Sequence, residues 1–360
     1  MSASFTNVPQ TWRELLPTMY RSAQAEIHGH LRFLPFILKE PIEKFLPRLN
    51  SLRFRSQIET PGDYHLVRLR RVQLELDEVD KPVSGDFVLF SISGSVWCFC
   101  SIERSAIVGR TAIAAIQQHP SRASLIYIST REFRRIFDSL AEDANRVLVR
   151  RHYEYNRQES NANWLKETKD YRAVFDELAS KDAVATSVVA EIRSPKRVQL
   201  AAFSLNNNSL LSLRHGRVEL FLDGIVRQVA AIGNARNTLF ENRERTHAQL
   251  HPLELTFESA ILSDTRANSV LIESLSSMAK SGVAVFHSNP YIHLLYTDFR
   301  DGSSFNIYSS SDSALTVVPS TRASVSALMR LYRGISERFA DCDIAEAHQT
   351  QPTIDDFLGA

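Results

Sequence analysis

Strand-like segments in this chain come in pairs around tight turns, and this pattern limits the fold more than any other feature. Ser93 and Gly94 separate two segments, 86–92 and 96–102, that are rich in apolar and β-branched residues, which is a hairpin signal. Tight turns of this kind join antiparallel strands. The strand pairs are followed by helices and do not alternate with them one by one, so the pattern predicts an α+β fold with antiparallel sheets.

The same order of hairpins and then a helix recurs along the chain, near residues 64–142, 184–249 and 283–340. Asp301 and Gly302 give the clearest hairpin turn of the last block. Each of these blocks can bury the apolar face of a sheet against an amphipathic helix.

Helix starts are marked by capping residues in two places. Thr11 with Glu14, and Ser129 with Glu132, have the spacing of a capping box just before apolar residues at helical intervals. Residues 33–49 are apolar but interrupted by three prolines. Because proline breaks helices, we expect only short helical pieces in that stretch.

A chain of 360 residues exceeds the usual size of one domain. Residues 156–163 are polar and have no apolar periodicity, so they are the predicted boundary. The expected organisation is an N-terminal helical segment with an antiparallel α+β domain over 1–155, and a second α+β domain over 164–341. Residues 342–360 are the expected flexible tail.

Composition excludes several classes of protein. Lys and Arg total 42 against 41 Asp and Glu, so bulk basicity does not indicate nucleic acid, and any such binding needs a local patch. Three cysteines do not make a disulfide framework. No signal peptide, long apolar span, glycine-rich nucleotide motif or complete set of metal ligands is present, so we expect a cytoplasmic protein without a resident cofactor or metal.

One local basic patch stands out, in the strand-like segment 146–157. Arginines and tyrosines alternate there in a way that suits single-stranded nucleic acid, because arginines contact phosphates and aromatic rings stack on bases. The candidate binding residues are Arg150, Arg151, Tyr153, Tyr155 and Arg157. The alternative is an edge strand whose charged face prevents aggregation.

A second candidate is a divalent-metal nuclease. Asp182, followed by a strand that carries Glu191 and Arg193 on one face, partly matches an acidic pair with a nearby cation that handles magnesium and the scissile phosphate. Arginine stands where lysine is usual, and it is a poor general base. Mg²⁺ is expected only if this alternative holds.

The segment 287–301 is the third candidate. Histidines, aspartates and a tyrosine gather there around two turns, and His287 and Asp298 are the candidate acid–base residues. Turn geometry alone also explains Asn and Asp at such positions. Whether the protein is an enzyme stays open at this point.

The last ten residues carry a recognisable motif. Ile354, Phe357 and Leu358 fall at i, i+3 and i+4, which forms an apolar plug in one helical turn, and Gln351 precedes the plug. The segment resembles the PIP box, the peptide by which replication and repair proteins bind the sliding clamp PCNA. The resemblance implies that Gln351 enters a polar pocket of the clamp and that the three apolar residues fill a hydrophobic groove. Leu358 stands where an aromatic residue is more usual.

The resemblance covers eight residues and implies a partner, a sliding clamp of the archaeal or eukaryotic type, and no reaction. It favours a DNA-associated accessory protein of replication or repair, tethered to the clamp by its tail. Two alternatives remain: the metal-dependent nuclease, and a non-catalytic α+β interaction module. For the tail itself, the alternative to clamp binding is that Ile354, Phe357 and Leu358 fold back onto the body of the protein.

Overall fold

The computed structural model describes residues 9–26, 29–72, 82–141, 145–157, 161–241, 252–263, 265–288 and 291–347. It confirms the α+β class, with two antiparallel sheets and helices packed on them. Within the described residues the chain forms two compact units. The larger comprises residues 9–238 and 324–341, and the smaller comprises residues 239–323 and 342–347.

The larger unit is built on one long sheet whose neighbouring strands are all antiparallel, in the order β2-β3-β4-β5-β1-β12-β11-β10-β7-β8, with β6 on β1 and β9 on β7. The strands are Leu31–Leu38 (β1), Phe54–Glu59 (β2), Tyr64–Arg71 (β3), Val83–Ser93 (β4), Val96–Ser101 (β5), Ala123–Leu125 (β6), Arg146–Asn156 (β7), Asn161–Leu165 (β8), Lys169–Asp170 (β9), Ala183–Arg193 (β10), Gln199–Asn206 (β11) and Leu211–Gly216 (β12).

The smaller unit contains a second antiparallel sheet, in the order β14-β15-β16-β17-β13-β18. Its strands are Leu253–Phe257 (β13), Ser281–His287 (β14), His293–Asp298 (β15), Ser303–Ser311 (β16), Ala314–Pro319 (β17) and Cys342–Glu346 (β18). The turn predicted at Asp301 and Gly302 joins β15 to β16 as expected. Gly302 has φ +74° there, and Ser303 N donates to Asp301 Oδ1 at 3.0 Å.

Helices connect the strands of both units. They span Trp12–Ala25 (α1), Ile42–Phe45 (α2), Ser105–Val108 (α3), Ala114–Gln117 (α4), Thr130–Ala141 (α5), Tyr171–Ser180 (α6), Val218–Phe221 (α7), Arg227–Glu241 (α8), Thr265–Ser276 (α9) and Val325–Arg338 (α10). A 3-10 turn, Leu46–Leu49, follows α2, and the π segments Gly109–Ile113 and Leu222–Val226 join α3 to α4 and α7 to α8. None of the described helices is long and apolar enough to cross a bilayer.

Both predicted capping boxes are present. Glu14 N donates to Thr11 Oγ1 at 3.3 Å at the start of α1. At α5 the exchange is reciprocal: Glu132 N donates to Ser129 Oγ at 3.3 Å, and Ser129 N donates to Glu132 Oε2 at 2.9 Å. These contacts satisfy backbone N–H groups that the first helical turn leaves without partners.

The expectation of only short helical pieces over 33–49 is wrong for its first part, because β1 is a fully buried strand that contains Pro35. The C=O and ring nitrogen of Pro35 point to the same side, and Ser209 Oγ donates to that C=O at 2.8 Å. On this side β12 pairs with β1 only as far as Phe33, and β6 begins pairing at Phe36. Proline is therefore tolerated because its missing N–H falls in the gap between two partner strands.

The division into units differs from the predicted one. β7 ends at Asn156, within the polar segment 156–163, and pairs with β10 beyond this segment, so the predicted boundary falls between strands of one sheet of the larger unit. The larger unit also includes α10, which follows the smaller unit in the chain. Local polarity coincided with the passage from β7 to β8, two paired strands of one sheet, and it did not mark a domain boundary.

Candidate functional site

The arginines of β7 reach one face of the larger sheet because of a β-bulge. Val149 pairs with Ala190 of β10, whereas Arg151 pairs with Val189, so Arg150 is an extra residue on β7. A bulge of this kind breaks the strict alternation of side chains. Arg150 is exposed and Arg151 half-buried, while Val149 remains in the core. The predicted basic strand is therefore present, and it is interior to the sheet, with β8 as the edge strand.

An aromatic pair lies beside these arginines. Tyr153 of β7 pairs with Trp164 of β8, and their ring centroids are 5.1 Å apart. The guanidinium carbon of Arg151 lies 5.1 Å from the Trp164 ring centroid, in cation–π range. Trp164 remains 49% exposed, so its free surface can accept another flat group. We call these three residues the stacking cluster.

On the other side of Arg151 the sheet forms a recess of about 470 Å³, which we call the arginine recess. Ala202 of β11, a small residue that pairs with Glu191 of β10, leaves room in its floor. Its other lining side chains include Arg150, Arg151, Arg214, His30 and His215.

Glu191 lies in the same recess but is already neutralised. Its side chain is 3% exposed, and its two oxygens contact Arg150 Nη2 at 2.8 Å and Arg193 Nε at 2.5 Å. A buried carboxylate held by two guanidinium groups is an ion-pair centre, so it does not offer free oxygens to a cation. Glu26, an exposed residue near the C-terminal end of α1, is the other carboxylate that lines the recess.

The remaining cations of the recess are not matched in this way. Arg151 Nε and Arg214 Nε are both buried and have no hydrogen-bond partner. Burial and the nearby charge of Arg151 lower the pKa of Arg214. Burial and the charge of Arg214 in turn lower the pKa of Arg32 on β1. Arg214 thus lies close to two other guanidinium groups, and together with burial this proximity disfavours the charged forms of Arg214 and Arg32.

Neighbouring groups fix the recess in place. Arg32 donates to the carbonyls of Glu103 at 2.6 Å and His30 at 3.1 Å, which anchors the loop that carries His30. Gln24 of α1 donates through Nε2 to the carbonyl of Arg214 at 2.6 Å. Its Oε1 therefore faces His215 Nδ1 at 2.9 Å and accepts a hydrogen bond from the Nδ1–H group. The other ring nitrogen of His215, Nε2, takes no part in this hydrogen bond.

The structure separates the predicted nucleic-acid residues into two groups. Arg150, Arg151, Tyr153 and the half-buried Tyr155 lie along β7, within reach of the face described above. Arg157 does not. Its side chain is 7% exposed, Nη2 donates to the carbonyl of Ser336 at 2.7 Å, and Nη1 pairs with Asp182. Arg157 is therefore a structural residue and is removed from the candidate surface.

The predicted metal pair is not brought together. Asp182 precedes β10 in a left-handed turn, with φ +50°, whereas Glu191 is nine residues further along this extended strand. At about 3.3 Å per residue the two carboxylates are roughly 30 Å apart, too far to share an ion. Among the described residues no group of three or more His, Cys, Asp or Glu side chains is arranged to hold a metal.

The predicted acid–base pair of the smaller unit is also separated. His287 is exposed at the end of β14 and pairs with His293 at the start of β15, whereas Asp298 ends β15 opposite Ser281. Six residues of strand, about 20 Å, lie between the two positions. Asp298 is 2% exposed and accepts from Arg300 N at 2.8 Å, which is a turn contact.

Trp164 is the functional candidate that sequence reasoning missed. It directly follows the polar segment 156–163, and only the pairing of β8 with β7 brings it to Tyr153. The residues of the tail motif, Gln351, Ile354, Phe357 and Leu358, lie outside the described part of the chain.

No protein-family model matches the chain, and neither does any curated protein. Among solved structures the chain is similar to the DNA polymerase sliding clamp of Caulobacter crescentus, with 10% identity over 86% of this chain and 98% of that one, at a TM-score of 0.11. A TM-score this low carries no information about the fold or function of this chain.

Proposed function

We propose that this protein is a DNA-associated accessory protein that binds single-stranded nucleic acid on the β7–β8 face and is tethered to a PCNA-type sliding clamp by its C-terminal tail. The observation that carries the first part is the stacking cluster next to the arginine recess. The second part rests on the sequence of the tail.

The stacking cluster has the two components that single-strand binding needs. Trp164 offers a half-exposed ring on which a base can stack without regard to its identity. Arg151, which touches this ring and also lines the recess, places a positive charge one side chain away from the stacked base. The phosphates on either side of such a base then meet cations while the base meets an aromatic surface.

The test is fluorescence anisotropy with a labelled single-stranded oligonucleotide at low salt. The contribution of stacking to binding is about 1–3 kcal/mol per base, so Trp164→Ala is expected to weaken binding by roughly tenfold. Tyr291→Ala is the matched control, because Tyr291 is an aromatic residue of the smaller unit that is 67% exposed. Equal affinity of wild type and Trp164→Ala, or no saturable binding by wild type, contradicts the proposal.

Salt dependence gives a second, independent readout of the same surface. Each phosphate neutralised on a single strand contributes about −0.7 to the slope of log K against log salt. Arg151→Gln is expected to make the slope shallower by about that amount. Arg134→Gln is the control, since Arg134 lies on α5 and pairs with Asp176 at 3.0 Å. A slope that does not change in Arg151→Gln excludes this residue as a phosphate contact.

Clamp tethering is tested separately by titration calorimetry of the full chain with a PCNA-type clamp. Phe357→Ala removes the centre of the apolar plug and is expected to abolish the heat of binding. Asp355→Ala, in the same segment but outside the anchor positions, is the control. A chain that ends at residue 347 should lose the clamp and keep the oligonucleotide. Absence of heat with the wild-type chain removes the tether from the proposal.

A further inference from the structure

The arginine recess holds more positive charge than its own residues neutralise. Arg150 and Arg193 share the single carboxylate of Glu191, which offsets only one of their two charges, and Arg151 and Arg214 make no ion pair with any carboxylate of the described residues. Both are half-buried, and the Nε of each is inaccessible to water and without a partner. A protein gains stability by separating such groups or pairing them with an acid, so keeping them together points to an external anion.

Three further titratable side chains face the recess, Glu26, His30 and His215. Glu26 is exposed and contributes a carboxylate at the rim. His30 is held by Arg32, whose Nη2 lies 3.3 Å from His30 Nδ1. His215 is held by Gln24 through Nδ1. The four guanidinium groups of Arg150, Arg151, Arg193 and Arg214 thus face two carboxylates, Glu191 and Glu26, and the two positive charges left over set the charge that a ligand must bring.

From this charge balance we propose that the arginine recess binds the terminal phosphate monoester of a nucleic-acid strand. This inference rests on the proposed single-strand binding and specifies that the recess binds the end of the strand. A monoester carries about −1.5 to −2 charges at neutral pH, which matches two guanidinium groups. An internal phosphodiester carries one negative charge and leaves the second arginine unmatched.

The geometry agrees with a strand end. The volume of about 470 Å³ exceeds what a phosphate alone needs and falls in the range of small-ligand pockets. Ala202 in the floor leaves space for a phosphate against the sheet. Arg151 belongs both to the recess and to the stacking cluster. The nucleotide attached to a bound terminal phosphate would therefore lie next to Trp164.

The experiment compares three versions of one labelled oligonucleotide, with a 5′-phosphate, a 3′-phosphate or hydroxyl groups at both ends, by anisotropy at pH 7.5. Wild type is expected to bind one phosphorylated version about tenfold or more tightly than the hydroxyl version. The preferred version shows whether the recess binds a 5′- or a 3′-terminal phosphate, and either preference supports the proposal. The preference should decline below about pH 6, where the monoester loses its second charge.

Arg214→Gln is the diagnostic variant, and the measured quantity is the ratio of the two dissociation constants within each protein. The ratio compares the dissociation constant of the hydroxyl oligonucleotide with that of the preferred phosphorylated one. We expect it to fall to about one in Arg214→Gln and to remain at the wild-type value in Arg134→Gln, whose arginine lies outside the recess. A ratio that survives Arg214→Gln overturns the assignment of this recess. Should Arg214→Gln not fold, competition by inorganic phosphate on wild type replaces it: phosphate must remove the preference selectively, and failure to do so overturns the proposal.

The two levels of the proposal fail in different ways. If wild type binds all three oligonucleotides equally, the terminal-phosphate proposal is wrong, and single-strand binding stands. If none of the oligonucleotides binds and inorganic phosphate alone has no effect on the urea midpoint of the protein, both proposals are wrong.

Discussion

At the scale of single residues, the larger unit contains a buried arginine whose charge must be paired. Arg236 of α8 is 3% exposed and pairs through Nη2 with Glu132 Oε1 at 2.5 Å. Its guanidinium carbon also lies 4.6 Å from the ring centroid of Tyr332. Because a buried charge is tolerated only when it is paired, these contacts must form together on folding.

Removing the partner of Arg236 tests this dependence. Glu132→Ala leaves a buried positive charge and removes the side-chain half of the capping box of α5, so we expect a loss of about 3–5 kcal/mol in the free energy of unfolding. The three tryptophans, at 12, 97 and 164, all lie in the larger unit, so tryptophan fluorescence during urea unfolding reports on that unit. Asp223→Ala, which breaks an exposed pair with Arg227, is the control and should change stability by less than about 0.5 kcal/mol. A similarly small effect of Glu132→Ala contradicts the prediction.

A second residue predicts how stability depends on pH. Burial raises the pKa of Asp341 to about 6, against the opposing charges of Arg157 and Arg131. Between about pH 4 and 6 the folded protein therefore keeps a proton that the unfolded chain releases, and stability falls as pH rises through this window. In Asp341→Asn this decline should be smaller by about 1–2 kcal/mol. Urea midpoints at pH 4.5 and 6.5 measure it.

The control for this pH dependence is Asp86→Asn, which removes an exposed carboxylate paired with Arg68 at 2.6 Å. Other groups titrate over the same range, so the comparison is between the pH differences of the variants. An Asp341→Asn protein that shows the full wild-type decline shows that Asp341 is not its source.

At the scale of elements, the β4–β5 hairpin shows how a local signal is secured by a distant residue. Gly94 adopts φ +52° in the turn. Asn234 of α8 holds that turn: its Oδ1 accepts from Ser95 N at 3.1 Å, and its Nδ2 donates to Ser93 O at 3.2 Å. A Cβ at position 94 would stand 2.9 Å from Asn234 Oδ1.

Gly94→Ala is therefore expected to destabilise the larger unit by about 1–2 kcal/mol, since it combines backbone strain with this close contact. Gly109→Ala is the matched control. Gly109 has a helical φ of −61°, and no heavy atom lies within 4 Å of an added Cβ. Alanine there should be neutral or slightly stabilising. If the two variants have the same urea midpoint, the turn is not under the constraint described.

These elements also show what sequence predicts well. The capping box at Ser129 and the turn at Gly94 were predictable because each depends on side chains within three or four residues. The strand through Pro35 was not predictable, because a proline fits in this strand only where the pairing with β12 stops and the pairing with β6 has not yet begun. Trp164 was missed for the same reason: its contact with Tyr153 exists only through strand pairing. The separation of Asp182 and Glu191 follows from the extended strand itself, and a firm strand assignment predicts it.

At the scale of the whole molecule, the larger unit is discontinuous in sequence. The chain leaves it after α8, forms the smaller unit, and returns with α10. Leu328, Leu331 and Ile335 of this helix are fully buried, and the Tyr332 ring packs edge-on against Tyr127 at 5.5 Å between centroids. A region that lies more than 80 residues downstream of α8 thus completes the core of the unit that begins the chain.

This arrangement predicts an asymmetric response to truncation. A fragment of residues 1–323 lacks α10, which exposes Tyr127 and removes the ring beneath Arg236. Each large apolar side chain lost from a core lowers stability by about 2–5 kcal/mol, and several are lost together, so the larger unit should not fold. A chain of residues 1–347 keeps α10 and β18 and should unfold at the wild-type urea concentration. Tryptophan fluorescence distinguishes the two, and a cooperative wild-type transition in the shorter fragment would mean that α10 is dispensable for the unit.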